Sequence, residues 1–257
     1  MIGISLFLWV GFPYLALALL IGGLIWRYRN DKFGWTSRSS QIHESRWLRW
    51  SSPLFHFGIL FVGVGHIVGL LIPKSATSAV GVSEHFYHLN ATVLGSVAGI
   101  MTLVGLAGLL YRRIVVKSVR LATTRNDVIM YILLLIPIIL GVIATVQNQI
   151  FGATGGYDYR ESISPWLRSV LFFQPDPSLL DGVPTAFKLH IIAGFLLFAI
   201  WPFTRLVHVV SMPLGYPTRP YVIYRSREDA IRSTKTPDGW DPVATRQDSH
   251  GSRSMGA

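Results

Sequence analysis

The chain has 257 residues, of which 51% are hydrophobic and only 14% charged, with a mean hydropathy of +0.44; a soluble domain carries nearer a quarter charged residues, so a water-soluble globule is excluded. The formal net charge of +10 would suit a nucleic-acid ligand, but no aromatic-interleaved soluble module carries it, and nucleic acid is excluded as a partner. The absence of cysteine excludes disulfides, thiolate iron–sulfur ligation and covalent attachment of c-type haem.

Five runs reach the roughly 20 apolar residues that a helix needs to cross a hydrocarbon core. They lie at about Ile4 to Trp26, Leu54 to Ile72, Ala91 to Tyr111, Val128 to Val146 and Ala186 to Val210. No basic residue precedes the first run and arginines follow it directly, so it is expected to be a retained helix and not a cleavable signal. Ser51-Ser52-Pro53 predicts the start of the second helix, with a capping hydroxyl and a proline in the first turn, and Pro73 predicts its end. On the third, Gly95-Ser96-Val97-Ala98-Gly99 reads as helix-packing surface. Pro137 should kink the fourth. The connection from Asn148 to Thr185 contains ISPWLRSVLFF, which reads as a helix lying on the membrane surface. Pro184 and Pro213 bracket the fifth run. From Leu214 the chain is polar and basic, a tail ordered by a partner near Tyr216 to Arg227 and disordered beyond. The expected fold is an all-α membrane protein. Residues 1–213 form a five-transmembrane-helix bundle, and residues 214–257 a cytoplasmic tail.

Lys and Arg collect in cytoplasmic loops. Only Lys74, Arg160, Arg168 and Lys188 fall on one side; the other 19 of the 23 basic residues follow the first, third and fifth runs. The amino terminus is therefore expected outside and the carboxy terminus in the cytoplasm, in a multi-pass protein of the cell (inner) membrane that meets lipid on its outer faces.

Four histidines sit inside two of these runs: His56 and His66 in the second, His190 and His208 in the fifth. Ionisable groups within a bilayer are expensive and usually face a bundle interior. Two histidines on each of two helices suit two haems, each iron held from both sides; without cysteine these are b-type haems, held non-covalently. The helices run antiparallel, so His56 is level with His208 on the inner side and His66 with His190 on the outer. On a continuous helix, His190 and His208 are about five turns and roughly 27 Å apart on one face. His56 and His66 are only about 15 Å apart and about 80° apart in azimuth, a mismatch that asks for tilted helices. Gly58, Gly65, Gly69 and Gly194 read as clearance for a flat ligand. Arg112, Arg113 and Arg205 are candidate partners for haem propionates. His43 and His250 have polar neighbours and read as solvated. Glu84, His85 and His88, at the outer mouth near His66, are candidates for a quinol site, which needs a proton acceptor beside an electron acceptor.

The block SSPLFHFGILFVGVGHIVGLLIP, the loop YRRIVVKSVRLATTRNDVI and the segment FKLHIIAGFLLFAIWPFTRLVHVVSMPLGYPTRPY together resemble the gamma subunit of respiratory nitrate reductase. The resemblance runs from the amino terminus to about Arg227. It implies a membrane cytochrome b with two b haems, His66 and His190 ligating the outer and His56 and His208 the inner. It also implies docking on an iron–sulfur beta subunit and a molybdenum-containing alpha subunit, with quinol oxidised outside and electrons passed inward for nitrate reduction. The family often has a lysine where this chain reads Ser83-Glu84-His85-Phe86; if that lysine binds a quinone carbonyl, His85 or His88 substitutes for it here, or the site is arranged differently. Two alternatives remain: a cytochrome b anchor of a sulfite- or heterodisulfide-linked reductase, and a haem-free proton-coupled transporter. Transporters more often show internal repeats, and none is evident here.

Overall fold

The computed structural model describes residues 2–31, 35, 40–151 and 157–211; the expected tail, 214–257, lies outside them. Among the described residues the chain is all-helical, and five helices are long and apolar enough to cross a membrane. The protein is a multi-pass membrane protein. In chain order the helices are α1 (Gly3–Asn30), α2 (Arg46–Leu71), the short α3 (Lys74–Ala79), α4 (Glu84–Val115), the short α5 (Lys117–Leu121), α6 (Arg125–Thr145), α7 (Ile163–Leu171) and α8 (Thr185–Ile200). The membrane candidates are α1, α2, α4, α6 and α8, the last extending through a 3-10 turn to Phe203.

Caps and prolines, more than hydropathy, set the ends. α2 starts well before Ser51: the Trp47 N–H donates to Glu44 Oε1 at 2.7 Å, and the helix continues through Pro53. α4 starts at Glu84 because Ser83 Oγ accepts from the Phe86 N–H at 3.3 Å. Thr124 and Asp127 close a reciprocal capping box at the start of α6. In α1 the stretch Phe7–Gly11 is a π turn. Pro13 has no N–H to offer the Trp9 carbonyl, and the Trp166 indole on α7 donates to that oxygen at 3.0 Å. α7 is the helix expected in ISPWLRSVLFF, but it packs inward. Ile163, Trp166 and Val170 join Trp9, Ala16 and Phe195 in one core cluster, and Ser164 Oγ donates to Leu70 O at 2.8 Å.

The expected single helix from Ala186 to Val210 is corrected. The α-helix ends at Ile200; a 3-10 turn covers Trp201–Phe203, Thr204 is extended, and a second 3-10 turn covers Arg205–Val209. Pro202 cannot donate to the carbonyl one turn earlier, and Thr204 Oγ1 caps the new turn by accepting from the Leu206 N–H at 3.2 Å. Arg27 of α1 secures the break in this arrangement, donating to Pro202 O at 2.6 Å and Thr204 O at 2.9 Å.

Glycine roles are also redistributed. α2 and α4 approach closely at Gly58, where a Cβ would lie 2.6 Å from the Thr102 backbone nitrogen, and at Gly105, where it would overlap the Phe55 backbone. Gly58 is therefore a packing glycine, whereas Gly95 and Gly99, read as packing, have no neighbour within 4 Å. Gly69 faces the Tyr159 hydroxyl. Gly65 and Gly194 also have no protein atom within 4 Å, which suits clearance beside His66 and His190.

Candidate functional site

α2 and the α8 segment bring the four membrane histidines together in two pairs. The His56 and His208 ring centres are 6.0 Å apart with planes at 72°; those of His66 and His190 are 5.9 Å apart with planes at 38°. The break at Pro202 resolves the mismatch in spacing, since His208 is carried on its own turn and not five α-turns below His190.

Each ring also has its Nδ1 against a backbone carbonyl. His56 reaches Ser52 O at 2.7 Å, His66 reaches Val62 O at 2.8 Å, His190 reaches Pro137 O at 2.9 Å and His208 reaches Arg205 O at 2.7 Å. A carbonyl can only accept, so Nδ1 carries the proton in all four rings. The lone pair of each neutral imidazole is left on Nε2, the state a metal ligand needs. A metal ion held about 2 Å from Nε2 of both rings separates the ring centres by about 6 Å. The two pairs therefore fit two bis-imidazole haem irons.

At the His66 end of the bundle, α3, α4 and the segment before α7 build an ionic cluster. Lys74 Nζ donates to Asp158, to Glu161 at 2.6 Å, and lies 3.8 Å from Glu84. His88 Nε2 lies 3.8 Å from Asp158. Arg160, fully buried at its side chain, lies 3.5 Å from Glu84 and 3.9 Å over the Tyr87 ring. Tyr87 and Tyr159 meet at their hydroxyls, 3.5 Å apart, beside Gly69 and so about one turn from His66. Burial alone would raise the Asp158 carboxyl, but the Lys74 bond and the Arg160 N–H hold it below its ordinary value. Burial works against the charged Lys74, yet Asp158 and Glu161 raise it above its own.

Of the sequence-predicted quinol residues, Glu84 and His88 are one α-turn apart and join this cluster; His85 points to another, exposed face. Glu84, His88 and Asp158 offer ligand atoms within 4.8 Å of one another, but the Lys74 ammonium already bridges both carboxylates, so the group is built as an ion-pair network.

The candidate propionate partners are engaged with protein carboxylates at the His56 end. Arg112 is buried and donates to Glu44 Oε2 at 2.5 Å, to Ser40 Oγ and to two carbonyls. Arg113 and Arg205 share Asp127, at 3.5 Å and 3.2 Å. Sequence reasoning missed Arg27, Lys74, Asp158, Pro137 and Gly141. Their partners lie far away in the chain, and only the proline carried a local signal.

The nitrate reductase gamma subunit model matches residues 5–227. This chain belongs to the nitrate reductase gamma subunit family. It is 46% identical over 220 residues to the nitrate reductase gamma chain of Bacillus subtilis, covering 86% of this chain and 97% of that one. It is 37% identical over 225 residues to the respiratory nitrate reductase 2 gamma chain of Escherichia coli, covering 87% and 98%. The nitrate reductase-like protein NarX of Mycobacterium tuberculosis is 51% identical over 233 residues, 90% of this chain but 35% of that protein, so this chain spans about a third of that relative. Family membership and the five apolar spans together make it a multi-pass membrane member of the gamma-subunit family.

Proposed function

We propose that this family member is a dihaem cytochrome b that oxidises quinol at the outer side and delivers electrons inward to a cytoplasmic iron–sulfur subunit. The observation that carries the reading is the pair of facing imidazole couples, each about 6 Å between ring centres with every Nδ1 proton fixed on a carbonyl. His66 and His190 would hold the outer haem, His56 and His208 the inner. When bound, the haems supply one-electron redox chemistry on a path across the bundle.

The residues supply the rest. Quinol oxidation releases two protons with its two electrons, and the acceptors belong at the His66 end. There His88, with Asp158 3.8 Å away, can take a proton and share it with the carboxylate, and Glu84 is the second acceptor. Tyr87 and Tyr159 pack beside Gly69, about one turn from His66, and line the same end. The positive-inside pattern supports an outer location for this end, with the protons leaving outward. Arg205 and Arg113, which share Asp127, are the cations assigned to haem propionates at the inner end. Alpha and beta subunits, as in a molybdenum-containing nitrate reductase, dock on the inner face, with residues 214–257 forming a cytoplasmic tail of which the first part contacts them.

Haem per chain in detergent-purified wild type, His66→Ala and His56→Ala tests the reading. The expected result is two b haems in the wild type and one fewer in each variant. A folded wild-type chain without haem, isolated from haem-replete cells, sinks it.

A further inference from the structure

Three of the four imidazoles place Nδ1 on a carbonyl of their own segment: His56 on Ser52, His66 on Val62, His208 on Arg205. His190 alone crosses to another helix, donating to Pro137 O of α6 at 2.9 Å. One turn further along α6, on the same face, is Gly141. A Cβ there would lie 2.9 Å from His190 Cε1, 3.2 Å from Nδ1 and 3.7 Å from Nε2, distances that force the ring to move. α6 contributes no histidine, yet it touches the His190 ring through one hydrogen bond and one missing side chain. The Thr145 hydroxyl donates to Gly141 O at 2.9 Å, which anchors the next turn of the same face.

We propose that the Pro137–Gly141 turn of α6 is a positioning seat for His190, fixing the tautomer and the aim of one ligand of the outer haem and leaving the inner site untouched. This rests on the dihaem reading only for its effect on haem; the seat itself is a property of the imidazole. The acceptor carbonyl sets the proton on Nδ1, and the bare α-carbon of Gly141 lets the ring lie against the helix. A methyl group at that position pushes the ring away from α6, which shifts the aim of Nε2 and lengthens the Nδ1 hydrogen bond. Alanine is a better helix former than glycine, so the α6 backbone itself is not weakened by the change.

The full chain would be purified in detergent from haem-replete cells as wild type, Gly141→Ala and, as a control, Gly22→Ala, where a Cβ meets nothing within 4 Å. Haem per chain and the low-spin ferric electron paramagnetic resonance signals are read out together. The planes of the two pairs differ, 72° against 38°, so the two signals are separable. The expected result for Gly141→Ala is a shifted or lost outer signal, with the inner signal at wild-type position and Gly22→Ala unchanged. A helical Gly141→Ala chain with both signals and haem content as in the wild type overturns the seat. Histidine 15N spectra, with His190 assigned by its loss in His190→Gln, decide the cases haem cannot. If the wild type binds no haem, the dihaem reading fails alone. The seat then stands if His190 loses its Nδ1–H tautomer in Gly141→Ala and falls if it keeps it. If Gly141→Ala does not fold, the wild-type spectrum decides: a His190 Nδ1–H hydrogen-bonded to a carbonyl supports the seat, and an Nε2–H tautomer overturns it.

Discussion

At the scale of single residues, the Lys74 cluster shows how opposing charges make a polar surface tolerable at the end of a membrane bundle. Lys74 binds Asp158 and Glu161 at once. Asp158 ionises below its ordinary range in the folded chain, so its stabilisation is present above its unfolded value near 4 and lost as pH falls through the lower folded value. Lys74 is raised above its ordinary value. Its stabilisation is present below an unfolded value near 10 and lost as pH rises through the folded one. The melting temperature in detergent should therefore be flat with respect to these groups between about pH 5 and 9 and fall on either side. Lys74→Met should lower the plateau and remove the alkaline limb. An unchanged alkaline limb in that variant would show that another group sets it. The side chains are only partly buried, about a quarter exposed for both Lys74 and Asp158, so solvent screening keeps the plateau drop modest.

Between elements, contacts across the sequence decide what hydropathy leaves open. The five spans were legible as apolar runs, and the antiparallel levelling of the histidines followed from loop charge and helix count. The break at Pro202 was not. The apolar run continues through it, and a proline so near a helix end reads equally as a cap or a stop. What defines the break is Arg27, 175 residues earlier in the chain, bound to Pro202 O. Gly141 was hidden for a similar reason: its neighbour His190 lies on another helix. Arg112 looked free for a ligand because its partner Glu44 belongs to a polar loop that carries no periodicity. Hydrogen bonds from a charged donor contribute about 1.5–3 kcal/mol each. Arg27→Ala, which strips two carbonyls at the break, should destabilise the chain by about 3 kcal/mol. The loss should fall first on the His56–His208 pair. Thermal melting with haem content per site checks this; a variant that melts lower but weakens both pairs equally would assign Arg27 a merely general role.

For the molecule as a whole, orientation is the property on which the direction of charge movement depends. The lack of cysteine makes it directly measurable. Single cysteines at exposed positions, Ser78→Cys near the end of α3 and Lys117→Cys in α5, can be labelled on intact cells or spheroplasts with a membrane-impermeant maleimide. The positive-inside pattern predicts labelling at position 78 and none at 117 until the membrane is opened. The reverse pattern would put the His66 end inside and overturn the proposed outward release of quinol protons.

Both imidazole pairs join α2 to the segment around α8, the second span to the last. No truncated chain released before the fifth span contains a complete pair of either kind. During synthesis the first four spans can enter the membrane, but each would-be site still lacks half its ligands. On the dihaem proposal, haem insertion follows synthesis of the fifth span, and a prematurely terminated polypeptide offers each iron at most one of its two histidines.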